Sequence, residues 1–152
     1  MRKSSIAAVA AVAGTFLVGA GILPTVVHAA DDPVKTRKEG FDGNKKAMGA
    51  IKKILEDGAE LGTAAGPAQS LASFAKQVPG LFPAGSDKGD TKAKPVIWTS
   101  FADFSAKAQA FETESAKLVQ VVASGDKAAV QKQFGAVGGT CKARSEEHTS
   151  EL

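Results

Sequence analysis

IWTSFADFSAKAQAFETESAKLVQVV, residues Ile97 to Val122, sets Ile97, Phe101, Phe104, Ala108, Phe111, Ser115, Leu118 and Val122 at alternating steps of four and three. Sustained for nearly four heptads, that rhythm draws a narrow apolar seam along a helix, as in helices packed lengthwise against one another. Downstream, Ser124, Gly125 and Asp126 predict a turn and an N-cap, after which Val130, Phe134, Val137 and Cys141 resume the same spacing. Cys141 therefore belongs to the inward side of a last helix.

Upstream, the sixteen residues from Pro79 to Lys94 hold three Gly and two Pro, with Ser86, Asp87, Asp90 and Thr91 and no hydrophobic period. They read as a long connection of the kind often used for function or crossover. Before it, Leu61, Ala65, Ala68, Leu71, Ala75 and Val78 recur at helical spacing, closed by Pro79-Gly80. An earlier stripe runs through Val34, Phe41, Met48, Ile51 and Leu55, with Pro33 at its start and Gly58 and Gly62 beyond its end. There is no Tyr, no alternating β-branched run and no Asn-Gly hairpin signal. The predicted fold is all-α: an antiparallel four-helix bundle with a long loop between helices two and three.

The 152 residues are 43% hydrophobic and 23% charged, the composition of a globular chain. Residues 31–143 carry 16 basic and 13 acidic side chains, spread rather than blocked. No basic stripe interleaved with aromatics is present, which sets aside nucleic acid and anionic membrane as partners. Met1 to Ala30 has the three parts of a secretory signal: Arg2 and Lys3, an apolar stretch from Ile6 to Leu23, and small residues around Val27-His28-Ala29. Cleavage after Ala29 or Ala30 is expected, leaving no membrane contact. The alternative is an uncleaved anchor, since the stretch is about as long as a short span, against which its many Ala and Gly residues and Pro24 argue. The lone Cys141 then enters an oxidising compartment without an intrachain partner, so its thiol needs either burial or a chemical use.

Three segments go further: Thr36-Arg37-Lys38-Glu39-Gly40-Phe41 leading to Met48-Gly49-Ala50-Ile51-Lys52; Phe82-Pro83-Ala84-Gly85-Ser86 followed by Lys94-Pro95-Val96-Ile97-Trp98; and Phe134-Gly135-Ala136-Val137-Gly138-Gly139-Thr140-Cys141-Lys142-Ala143. In this order, and across residues 34–143, they resemble the cytochrome c prime family, the class II c-type cytochromes. The third segment resembles the run into that family's Cys-x-x-Cys-His. The resemblance implies a periplasmic haem c protein, with two thioether bonds on the last helix and an axial His after the second Cys. Cys141 matches the first Cys. The positions of the second Cys and the axial His hold Arg144 and Ser145, so no iron ligand is expected from this motif.

The resemblance also implies roles on the other side of the cofactor. Phe41 matches the large residue over the open iron face, where a ring that cannot coordinate leaves room for a small gas such as NO or CO. Arg37 is expected near a haem propionate, while Trp98 and Phe101 are expected at the macrocycle edge; each has core packing or simple solvation as its bland alternative. Met48 is expected to pack between helices rather than ligate. Gly135, Gly138 and Gly139 read as room for close backbone approach.

Arg144-Ser145-Glu146-Glu147-His148-Thr149-Ser150-Glu151-Leu152 resembles the in-frame translation of a common DNA-sequencing adapter. The chain then divides into a signal peptide over 1–30, a cytochrome-like bundle over 31–143 and an artefactual tail over 144–152. His148 is not expected to replace the missing ligand. The functional expectation is one-electron transfer, with redox partner proteins, or binding of NO or CO; homodimers through the first two helices are implied as well. The alternative is a haemless periplasmic bundle with a structural or interaction role, and a small cavity is expected near Phe41 and Cys141 when haem is lost. No Ser/His/Asp set, metal-binding His pair or Gly-rich phosphate loop suggests an enzyme.

Overall fold

A computed structural model describes residues 32–147, with the side chains described as far as Ser145. The expected signal peptide, His148 and the rest of the tail lie outside the described residues. Helix α1 spans Pro33–Asp57. Asp32 caps it through its side chain, which accepts from the Val34 amide at 2.9 Å, and Pro33 supplies a first-turn φ that a helix already needs. Gly58 ends it in the left-handed region at φ 67°, a conformation cheap only for glycine.

The inward face of α1 is Arg37, Phe41, Asn44, Ala47, Ile51 and Leu55. Two polar residues thus join a stripe that periodicity had drawn from apolar residues alone, and Met48 sits at its margin, partly buried. A 3₁₀ turn, Leu61–Ala64, leads into α2 (Ala65–Ala75), and a second, Val78–Leu81, follows it. Ala64, Ala68, Leu71, Ala72, Ala75 and Val78 are buried, whereas Ala65 is exposed because the change from 3₁₀ to α winding shifts the face by one residue.

The connection from Phe82 to Pro95 crosses the bundle end. The predicted third helix is broken: α3 (Val96–Thr99) is one turn long, Ser100 interrupts it at φ −132° and ψ 47°, and α4 runs over Phe101–Ser124. Ile97, Phe104, Ala108, Phe111, Ser115, Leu118 and Val122 keep the expected seam. Phe101 leaves it and is 41% exposed, since the break at Ser100 resets the helical phase.

Gly125 closes α4 at φ 72°, and the Asp126 carboxylate caps α5 (Lys127–Glu147) by accepting from the Ala128 and Ala129 amides at 2.9 and 3.1 Å. That two-residue turn makes α4 and α5 antiparallel neighbours. Gln133 on α5 fastens them further, donating to the Glu114 carbonyl and carboxylate at 2.9 and 2.6 Å. The result is a four-helix bundle of α1, α2, α4 and α5, with no β-strand among the described residues. Packing is dense between α4 and both α5 and α2, and thin between α1 and α5. No helix among the described residues is long and apolar enough to cross a membrane.

Candidate functional site

Two side-chain clusters meet along the inner face of α1, one turn apart. The first is built on Arg37, which is fully buried. Its Nη1 donates to the Ser86 hydroxyl at 3.1 Å and the Leu81 carbonyl at 3.4 Å. Its Nη2 donates to the Ser86 carbonyl at 2.8 Å and the Thr91 hydroxyl at 2.6 Å. The guanidinium carbon lies 4.8 Å from the Phe82 ring centroid and 6.0 Å from that of Trp98. Here the planar five-donor fork holds the crossing loop against α1. Trp98 adds to the clasp by donating its indole N–H to the Pro83 carbonyl at 2.9 Å.

Phe82 links this cluster to the core, with its ring 4.7 Å from that of Phe104 and 6.1 Å from that of Trp98. Phe101 meets Phe104 at 5.9 Å and otherwise faces outward, sharing a surface hollow with Pro79, Gly80, Phe82, Pro83 and Trp98. Arg37 and Trp98 therefore stand together, and Phe101 stands at their rim.

The second cluster is built on Phe41, which is 1% exposed and meets Phe74 of α2 edge-on at 5.2 Å. Gly40 makes that contact possible, since a Cβ there would overlap the Phe74 ring. On its other side Phe41 faces α5. There the guanidinium carbon of Arg144 lies 4.3 Å from the Phe41 centroid and 5.5 Å from that of Phe111. Arg144 is fully buried, and its Nε, Nη1 and Nη2 have no hydrogen-bond partner. Loss of hydration pulls its affinity for a proton down, offset only in part by the nearby Cys141 sulfur.

Cys141 is half-buried one turn before Arg144. Burial pushes its thiol above the ordinary cysteine range, while the Arg144 charge and a hydrogen bond with Thr140 pull it partly back. Ser145 donates its hydroxyl to the Cys141 carbonyl at 2.8 Å and is thereby used up within its own helix. Met48 packs against α5, its methyl 3.9 Å from where a Cβ on Gly138 would stand. Gly135 and Gly139 are exposed with nothing close to them, so of the three glycines only Gly138 lies against another helix. Among the described residues no three His, Cys, Asp or Glu side chains are grouped to hold a metal.

Phe74, Phe82, Phe111 and Arg144 were not singled out from the sequence as site residues. Phe82 stood in a quoted motif and Phe111 on the α4 seam, so both carried a signal. Arg144 carried none, because a lone basic residue near a chain end reads as solvated.

A four-helix bundle with a partly buried thiol on its last helix is compatible with the class of four-helix-bundle c-type haem proteins. The chain belongs to the cytochrome c' family, whose model, described as Cytochrome C', matches residues 32–143. It is 34% identical over 133 residues to the cytochrome c' of Rhodospirillum rubrum, covering 84% of this chain and 90% of that one. The structure is similar to that of cytochrome c' from Thermochromatium tepidum, with a TM-score of 0.74 and 28% identity over 78% of this chain and 94% of the other. It is also similar to the nitric oxide complex of a mutant cytochrome c prime from Alcaligenes xylosoxidans, with a TM-score of 0.70, 25% identity and coverage of 77% and 93%.

The family binds haem c. The residues of this chain do not complete that site. Among the described residues there is one thiol and no histidine, and the Arg144 guanidinium lies between Phe41 and Phe111, inside the bundle. The space near Phe41 and Cys141, expected as a cavity, is occupied by that side chain.

Proposed function

We propose that residues 31–143 are the bundle of a periplasmic c-type haem protein for one-electron transfer, for binding a small diatomic gas such as NO or CO at an open iron face, or for both. The observation that carries this reading is the placement of Cys141, the chain's single thiol, on the α1-facing side of α5, one turn from a side chain in contact with Phe41. Phe41 offers no lone pair to iron, which suits an open rather than a filled sixth position. In this chain the site is incomplete, with the second Cys and the axial His replaced by Arg144 and Ser145 of a tail that we read as translated adapter. The protein is read as a carrier or sensor rather than an enzyme, with a redox protein as partner. A second copy is a further partner, docking along the α1/α2 groove lined by Gly40, Gly43, Ala47, Gly66 and Phe74.

The test is the double substitution Arg144→Cys with Ser145→His, expressed with haem-maturation machinery. The expected product carries covalently attached haem, with a high-spin ferrous spectrum that changes on adding CO. A polypeptide that remains colourless would end the c-type assignment, and a low-spin spectrum blind to CO would end the open-face reading. The full-length gene at the source is expected to read Cys then His at positions 144 and 145.

The second reading, a haemless bundle with a structural or interaction role, is favoured for the polypeptide as it stands by the Arg144 side chain between Phe41 and Phe111. It predicts no haem uptake without the double substitution.

A further inference from the structure

Arg144 is the least compensated group in the described structure. Its relative exposure is 0%, and none of its three nitrogens meets an acceptor. The faces of Phe41 and Phe111 attract a guanidinium, but two ring contacts replace only part of the hydration that a buried cation forfeits. Arg37, buried as completely, shows the contrast: four oxygen acceptors surround its fork. A group in the position of Arg144 gains free energy from any rearrangement that returns it to water at small cost in contacts.

Such a rearrangement is close at hand, because Arg144 sits near the end of α5, where few contacts oppose unwinding. Lys142 and Ala143 are exposed, Cys141 and Ser145 are only half-buried, and the Ser145 hydroxyl bonds within its own helix. The side of the bundle that the turn would uncover, between α1 and α5, is also thinly packed. Upstream, Val130 and Val137 are fully buried and anchor the rest of the helix. Local stability therefore drops steeply along α5 between Val137 and Arg144.

We propose that the turn Cys141–Ser145 opens reversibly in the folded chain as given, carrying Arg144 into water and uncovering Phe41, Phe111 and the Cys141 thiol. Closed, the guanidinium is a plug between Phe41 and Phe111, in the space that the proposed function gives to haem. Open, it leaves an apolar slot with a free sulfhydryl at its mouth. The uncompensated charge favours the open form, and the inward pull of the two rings limits it. The inference takes from the proposed function only the identity of the excluded group, and its test needs no haem.

The experiment compares modification of Cys141 by a thiol-specific disulfide reagent in the chain as given and in its Arg144→Met variant, at neutral pH without denaturant. Met fills similar space without a charge, so the closed turn becomes favoured and labelling slows by about tenfold or more. Equal or faster labelling in a folded Arg144→Met protein would overturn the proposal. Should that variant lose its fold, amide hydrogen exchange of the unsubstituted chain still decides. Amides of 141–145 are expected to exchange far faster than those of 130–137 without α4 losing protection, and uniform protection along α5 rules the opening out.

Discussion

Two arginines on neighbouring helices are buried to the same degree and live in opposite environments. Arg37 spends its donors on the Leu81 and Ser86 carbonyls and the Ser86 and Thr91 hydroxyls, so its charge is solvated by the protein. Arg144 has ring faces only. Neither burial was legible locally, because the partners of Arg37 lie 44 to 54 residues away along the chain. At the same scale Cys141 makes stability depend on pH. Its thiol is raised in the folded state, chiefly by burial, so the native protein holds its proton more tightly than the unfolded chain does. The associated stability is complete below the ordinary thiol range and is lost as pH rises through that range toward the folded value. Denaturation midpoints measured from pH 7 to 10 are expected to fall more steeply for the chain as given than for Cys141→Ala, and parallel curves would show that the thiol is not desolvated.

At the scale of elements, a hydrophobic period predicted one continuous third helix, and the structure has a one-turn α3, a break at Ser100 and then α4. The period could not register the break because Phe101 is apolar at the right spacing, whereas its environment is set by the backbone angles of its neighbour. In α5 the glycines were read as places of close approach. Gly135 and Gly139 instead sit on the exposed side, where no neighbour crowds an added methyl. Helical glycine costs about 1 kcal/mol against alanine. Gly135→Ala and Gly139→Ala are therefore each expected to stabilise the protein by about 0.5–1 kcal/mol, read as a raised urea midpoint with unchanged slope. Loss of stability in either would mean that these positions do meet another surface.

Across the whole molecule, α4 is the spine, packed on both α2 and α5, while α1 and α5 touch little. Phe111 stands at the middle of that spine, fully buried and within reach of Arg144. Phe111→Ala is expected to cost about 3–5 kcal/mol, a large share of the roughly 5–15 kcal/mol available to a domain of this size. Chemical denaturation followed by helical circular dichroism measures it. A loss below about 1 kcal/mol would show that the α4 seam collapses around the gap.

Helical class, the order of the bundle helices, the long connection and the inward placement of Cys141 were all present in the sequence by itself, because they depend on spacing within single segments, and spacing survives without knowledge of neighbours. The family was legible for a related reason: its motifs are short and local. What only the tertiary structure decided was which polar groups are enclosed and by what. Arg37 is gripped by a distant loop, Phe101 is turned outward by a break beside it, and Arg144 is driven between two rings without an acceptor. Each of these outcomes depends on distances between segments that no period along the chain encodes.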